Sequence, residues 1–235
     1  MSIEKRILLL GIGNILWADE GFGVRALEAI QRDYEFPENV TLLDGGTQGV
    51  YLVQDVRDAD ILIVFDAIDY GLEPGQLKVI ENEDVPSFMG AKKVSLHQTG
   101  FQEVLALADM MGDYPERILL IGVQPEYIED FGGSLRPVVK AQIKPSIQIA
   151  LDYLESLGVK CKKRDIQLGL HAQSEDAILD IQNYESGRPT EKEACRMGDE
   201  RILASPDFVV NEPSSVPLGD NPVQVDVDHH LEKYR

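Results

Sequence analysis

Four short apolar runs, Ile7–Leu10, Val40–Leu43, Ile61–Phe65 and Ile118–Val123, recur along the chain, and each stops abruptly at glycine, aspartate or Gln124-Pro125. Runs of this length without polar alternation suit strands buried on both faces. Between them lie stretches of helical spacing, such as Val24, Leu27, Ala29 and Ile30, and the segment from Phe101 to Met111. Strands that alternate with helices in this order specify a parallel sheet, because each parallel neighbour needs a crossover and the crossover helices then cover both faces. The expectation is an α/β, three-layer fold with a mostly parallel twisted sheet of about five strands. Gln76–Glu81 alternates apolar with polar residues and reads as an antiparallel strand at an edge.

In such a sheet, ligands bind at the carboxyl ends of the strands, so the residues that end each run are the ones to inspect. The first run opens into GIGNILWADEGFG, where Gly11, Gly13 and Asn14 permit a sharp turn and Asp19 and Glu20 stand just before a helix. The second ends in Asp44, Gly45, Gly46 and Thr47, and the third is closed by Asp66. His97 lies in the loop SLHQTG before the helix that begins at Phe101. Further on, Ser134 is placed as a helix N-cap, and Pro145 should break or kink the helix that ends near Leu157 and Gly158.

Composition narrows the partners. The 22 Lys and Arg against 41 Asp and Glu give a formal charge of -19, which argues against general affinity for nucleic acid or an anionic membrane surface. No apolar stretch approaches the ~18 residues needed to cross a bilayer, so no membrane insertion is expected. The two cysteines, Cys161 and Cys195, fall outside the expected core and form neither a disulfide framework nor a zinc-finger spacing, which points to the cytoplasm.

Glu20, Asp66 and His97 together offer oxygen and nitrogen donors suited to a borderline divalent ion such as nickel, zinc or cobalt, with coordination positions left open. Each has a plainer explanation: an acid before a helix complements its dipole, and a buried histidine commonly satisfies a local hydrogen bond. Other chemistries fit less well. Gly11-x-Gly13 with Asp44 is half of a dinucleotide fingerprint, but Leu16 replaces the third glycine and Asp19 and Glu20 would repel a pyrophosphate. A phosphoacceptor module would need a lysine after the last strand, where Gln124 and Pro125 stand. The DGGT at Asp44–Thr47 has no second copy to form an aspartic dyad, and no serine or core cysteine stands in a nucleophile's setting.

Taken in order, GIGNILWADEGFG, LDGGTQG, VFDAID and SLHQTGFQEVLALA resemble the hydrogenase maturation endopeptidases, and most of all the branch serving membrane-bound uptake hydrogenases. The resemblance runs from Arg6 to about Leu157. It implies a nickel-recognition site at Glu20, Asp66 and His97, with Asp19 within the pattern and Asp44 matching a further family acid. Asp19 and Asp44 are the candidate catalytic acids of a nominally aspartic-type peptidase, and the base that activates water stays open among Asp19, Glu20 and Asp66 as well. The implied substrate is the nickel-loaded precursor of the nickel-iron hydrogenase large subunit, which would lose a short C-terminal peptide, with nickel shared with or supplied by that precursor. The alternative is a nickel-binding chaperone that docks on the same precursor without cutting it.

Residues 1-159 are expected to form the protease domain and 160-235 a largely irregular extension. Within the extension, Glu191–Met197 suggests a helical turn or two, and Ile202–Ala204 and Phe208–Val210 are short apolar segments.

Overall fold

The computed structural model describes residues 5–89, 96–165 and 180–188, and for 87–89 and 96–99 only the backbone. These residues all fall within one compact unit, Met1–Arg196. Its centre is a five-stranded sheet built from β1 (Ile7–Ile12), β3 (Val40–Gly46), β4 (Ile61–Ala67), β5 (Leu77–Glu81) and β6 (Arg117–Val123), in the order β3-β1-β4-β6-β5. A two-residue strand, β2 (Tyr34–Glu35), stands apart from it. Adjacent strands among the first four are parallel, and β5 runs antiparallel on the β6 edge. The fold class expected from the sequence is therefore the one observed.

The continuous apolar runs are explained by the two faces they supply. Leu8, Leu10 and Ile12 of β1, Leu62 and Val64 of β4, and Ile118 and Leu120 of β6 enter one core cluster. Ile7 and Leu9, then Ile61, Ile63 and Phe65, then Leu119 and Ile121 enter the other. The first face is covered by α2 (Val53–Asp58) and by α4 (Leu96–Met111) through Phe101, Val104, Leu105 and Ala108, with Val85 of α3 (Asp84–Met89) beside them. The second is covered by α1 (Phe22–Asp33) and α6 (Ile143–Ser156). With period-2 side chains and both faces covered, nearly every residue of β1, β4 and β6 is buried, Asp66 among them, and only Arg117 at the start of β6 is exposed.

Several boundaries differ from expectation. Helix α4 begins at Leu96, so His97 lies in its first turn rather than in a loop before it. The helix runs through Gly100 without a break. Ser134 is not an N-cap: α5 (Pro137–Lys140) starts after Arg136, and the Ser134 hydroxyl donates instead to Glu185 at 2.8 Å. The expected break at Pro145 is present: the helical pattern is interrupted at Ala141–Gln142, and Pro145 stands in the first turn of α6, where its missing N–H has no intrahelical partner to lose.

The segment beyond Val159 also touches the core. Lys162–Lys163 (β7) pairs antiparallel with β2, and Cys161, expected outside the core, packs half-buried against the second cluster because this pairing holds it there. A further helix, α7 (Ile181–Gly187), places Ile181 against the apolar group around Phe22 and Val139. Tyr184 Oη donates to the Gly133 carbonyl at 3.1 Å, and Lys140 Nζ donates to Glu185 at 2.6 Å. The expected helical turn at Glu191–Met197 and the apolar segments further on lie outside the described residues.

These contacts set an expected outcome for shortening the chain. A protein ending at Val159 should still melt cooperatively but about 1–2 kcal/mol less stable than one ending at Arg188, or roughly 2–8 °C lower in Tm. The difference should shrink in acid. Burial raises the Glu185 pKa, but hydrogen bonds from Lys140 and Ser134 outweigh it and leave the group below its ordinary 4.5. A lowered carboxylate adds stability that is complete above the unfolded value and lost as pH falls through the folded one, so the difference should narrow as pH falls below 4.5 and not vanish, because the Ile181 and Tyr184 contacts remain. Calorimetry of both proteins across pH checks this.

Candidate functional site

The site is assembled where α1 meets the ends of β1 and β4. A Cβ on Gly23 would stand 2.1 Å from the Phe65 carbonyl oxygen and 2.3 Å from that of Ile12, and one on Gly11 would stand 2.6 Å from the Gly23 carbonyl. Only glycine at both positions lets the helix rest on the strands backbone to backbone. Phe65 precedes Asp66, and Gly23 follows Glu20 by one 3-10 turn (Ala18–Gly21), so this contact brings the two acids to one end of the sheet.

Asp66 is fully buried within β4, not in a loop after it, because the strand continues through Ala67 in register with Gly122 and Val123. Its Oδ1 accepts from the Ala67 N–H at 2.7 Å. Tyr70 closes over it: a Cβ on Gly122, the residue paired with Asp66, would come within 2.2 Å of the Tyr70 hydroxyl. Burial and the Asp66 carboxylate both push the Tyr70 phenol above its ordinary range. Tyr70 was not singled out in the sequence; the signal available was an aromatic hydroxyl just after VFDAID. The Tyr70 segment is held in turn by Gln124, whose Oε1 accepts from the Tyr70 and Leu72 N–H groups at 2.8 and 3.1 Å.

Glu20 is half-buried, and its N–H donates to the Trp17 carbonyl at 3.0 Å. Asp44 is exposed at the end of β3, level with Gly11, and its Oδ1 accepts from the Gly46 N–H at 2.9 Å in an Asx turn. It stands two strands from Asp66 with β1 between, roughly 10 Å across the sheet. The first turn of α4, with His97, reaches the same end through Gly100, where a Cβ would lie 3.4 Å from Gly49 Cα. The backbone thus gathers the elements carrying Glu20, Asp44, Asp66 and His97. Among the residues whose side chains are described, no three His, Cys, Asp or Glu stand together as a metal group, and the His97 side chain is outside that set.

Asp19 is different. It is fully buried, and three backbone N–H groups donate to its carboxylate: Arg136 to Oδ1 at 2.7 Å, and Glu126 and Tyr127 to Oδ2 at 2.9 Å each. Burial raises its pKa, outweighing those three hydrogen bonds and the Arg136 charge, which pull it down. A cavity of about 500 Å³ lies at the opposite end of the sheet, near Lys5, Ile61 and Arg117, away from these acids.

The α/β fold puts Glu20, Asp44 and Asp66 and the histidine-bearing first turn of α4 toward one end of the sheet. Residues 24–153 match the sequence profile of the hydrogenase maturation proteases. The chain is 60% identical over 205 residues to the hydrogenase expression/formation protein HupD of Thiocapsa roseopersicina, covering 87% of this chain and 93% of that one. It is 40% identical over 161 residues to the hydrogenase 2 maturation protease of Escherichia coli K12, covering 68% and 97%. The solved structure of the E. coli hydrogenase maturating endopeptidase HybD superposes with a TM-score of 0.65 at 40% identity, again over 68% of this chain and 98% of that one. The chain belongs to the hydrogenase maturation proteases, a family of peptidases.

The close seat of α1 is testable. Gly23→Ala should cost about 1–3 kcal/mol or more, because the added methyl meets backbone oxygens that cannot rotate away. Precursor processing should fall further than the lost stability explains, since the same shift separates Glu20 from Asp66. Denaturant melts and cleavage measured on one preparation check both.

Proposed function

We propose that the protein is an endopeptidase that removes a short C-terminal peptide from the nickel-loaded precursor of a nickel-iron hydrogenase large subunit, recognising the nickel through Glu20, Asp66 and His97. The observation that carries this reading is the seating of α1, which holds Glu20 beside the end of β4 where Asp66 is buried. Two oxygens and an imidazole nitrogen are good donors for nickel yet only part of its coordination shell. Nickel is therefore cargo, brought on the precursor's thiolates, and a precursor without it would offer these residues nothing to bind. Such a site couples cleavage to completed loading.

Among the acids considered as general base, Asp19 is enclosed and Asp44 is exposed. We assign proton abstraction from the attacking water to Asp44, oriented by its Asx turn, which makes the enzyme aspartic in type. Bound nickel would add Lewis-acid polarisation to the same cleavage. The cytoplasm suits this activity, since the half-buried Cys161 is a free thiol. Among the described residues no helix is long and apolar enough to cross a membrane.

One mass measurement tests the reading. Incubation with nickel-loaded precursor should shorten the large subunit, whereas unchanged mass would leave only a nickel-binding chaperone. Glu20→Gln, Asp66→Asn and His97→Gln should each reduce cleavage by about 10²-fold or more, and Asp44→Asn by a similar factor if it is the base. Glu20→Gln should change stability by less than ~1 kcal/mol, while Asp66→Asn, at a buried position, should shift it more. Purified alone, the enzyme should hold nickel weakly; a tight stoichiometric ion would mark an ordinary metalloprotease instead.

A further inference from the structure

We propose that Asp19 is a positioning residue rather than the catalytic base: its carboxylate fastens the loop after β6 to the segment Leu16–Gly21 and so fixes where Glu20 stands. The proposal rests on the reading of Glu20 as part of the site.

Both Asp19 oxygens are committed to backbone N–H groups of one loop, at Glu126, Tyr127 and Arg136, and the Asp19 N–H returns a bond to the Tyr127 carbonyl at 3.3 Å. That loop, from Gln124 to Arg136, forms no long ladder or helix that would satisfy these donors, so a buried acceptor from elsewhere in the chain must do it. The same two segments meet again nearby. The Gly132 N–H donates to the Leu16 carbonyl at 2.7 Å, Trp17 bridges to Phe131 and Gly133, and the Trp17 and Phe131 rings meet edge to face at 5.3 Å. Residues 16–20 and 126–136 are thus one unit with the Asp19 carboxylate at its centre.

A general base must reach the water it activates, within about 3 Å. The Asp19 carboxylate has both oxygens committed to three backbone donors of the loop and so turns neither toward a water at the site. Its influence is instead on its neighbours. Ala18 is held at φ 44, in the left-handed region that side chains avoid, and the bonds made by Asp19 are what keep the turn there. Glu20 follows directly, with its own N–H on the Trp17 carbonyl. Loosening Asp19 would let the 3-10 turn relax and move Glu20 off its place.

Asp19→Asn keeps the volume but turns an NH₂ group toward the N–H donors. Amide hydrogen exchange at Glu126, Tyr127 and Arg136 should become about 10-fold faster, as expected for one lost hydrogen bond, with KM for the precursor raised by a similar factor and kcat lowered less. A fall in kcat of about 10²-fold or more, with KM and exchange unchanged, would show Asp19 to be the base and overturn the proposal. A second variant leaves the carboxylate intact. Arg136 sits at φ -63, ψ 148, which proline can adopt, so Arg136→Pro deletes one donor while Arg136→Ala removes only the side chain. Arg136→Pro should speed exchange at Glu126 and Tyr127 and raise KM beyond Arg136→Ala; identical behaviour of the two would also overturn it. Full cleavage by Glu20→Gln would defeat the site reading instead, and leaves the exchange result to stand on its own.

Discussion

The backbone contact between Gly23 and the carbonyls of Phe65 and Ile12 decides where everything else at the acidic end can be. A helix separated from its sheet by side chains can slide by an ångström or more as they repack. One that touches the sheet through its own backbone cannot. Because Gly11 and Gly23 remove both side-chain layers at this point, the start of α1 is registered to the ends of β1 and β4, and Glu20 inherits that precision from the turn before it. The polar residues of the site then need little help from one another, and they can be spaced for a ligand brought by a partner.

Much of this was legible in the sequence, for a definite reason. Strands buried on both faces are mostly apolar, so the runs of β1, β4 and β6 and their abrupt ends marked the sheet and the end where the acids stand, with Asp66 the buried exception in β4. The alternation of Gln76–Glu81 marked the antiparallel edge strand of the main sheet, β5, which has one face less buried. What failed was local punctuation. Helix α4 begins at Leu96 and runs through Gly100 rather than starting at Phe101, and Ser134 caps no helix, because α5 starts only after Arg136.

The extension misled in a different way. Residues after Val159 show no repeating apolar face, yet α7 is held to the core by single contacts of varied type: Ile181 in an apolar group, a tyrosine hydroxyl on a carbonyl, a carboxylate between Lys140 and Ser134. No periodic pattern records such a mixture. The solved E. coli endopeptidase matches 68% of this chain, whereas the Thiocapsa relative matches 87%, so part of the additional length is shared with the Thiocapsa protein.

Asp19 and Glu20 show the limit of reading adjacent acids as one motif. In the sequence they are equivalent, two carboxylates before a helix. In the fold, one is sealed beneath the 126–136 loop and the other is half-exposed. The difference follows from the turn: in a 3-10 turn successive side chains point about a third of a revolution apart, so neighbours face opposite surroundings. With Ala18 forced into the left-handed region just before it, the turn is aimed so that Asp19 enters the protein. Asp19 commits both oxygens to backbone donors, as the positioning role we propose for it requires, and Glu20 beside it is the acid left partly exposed.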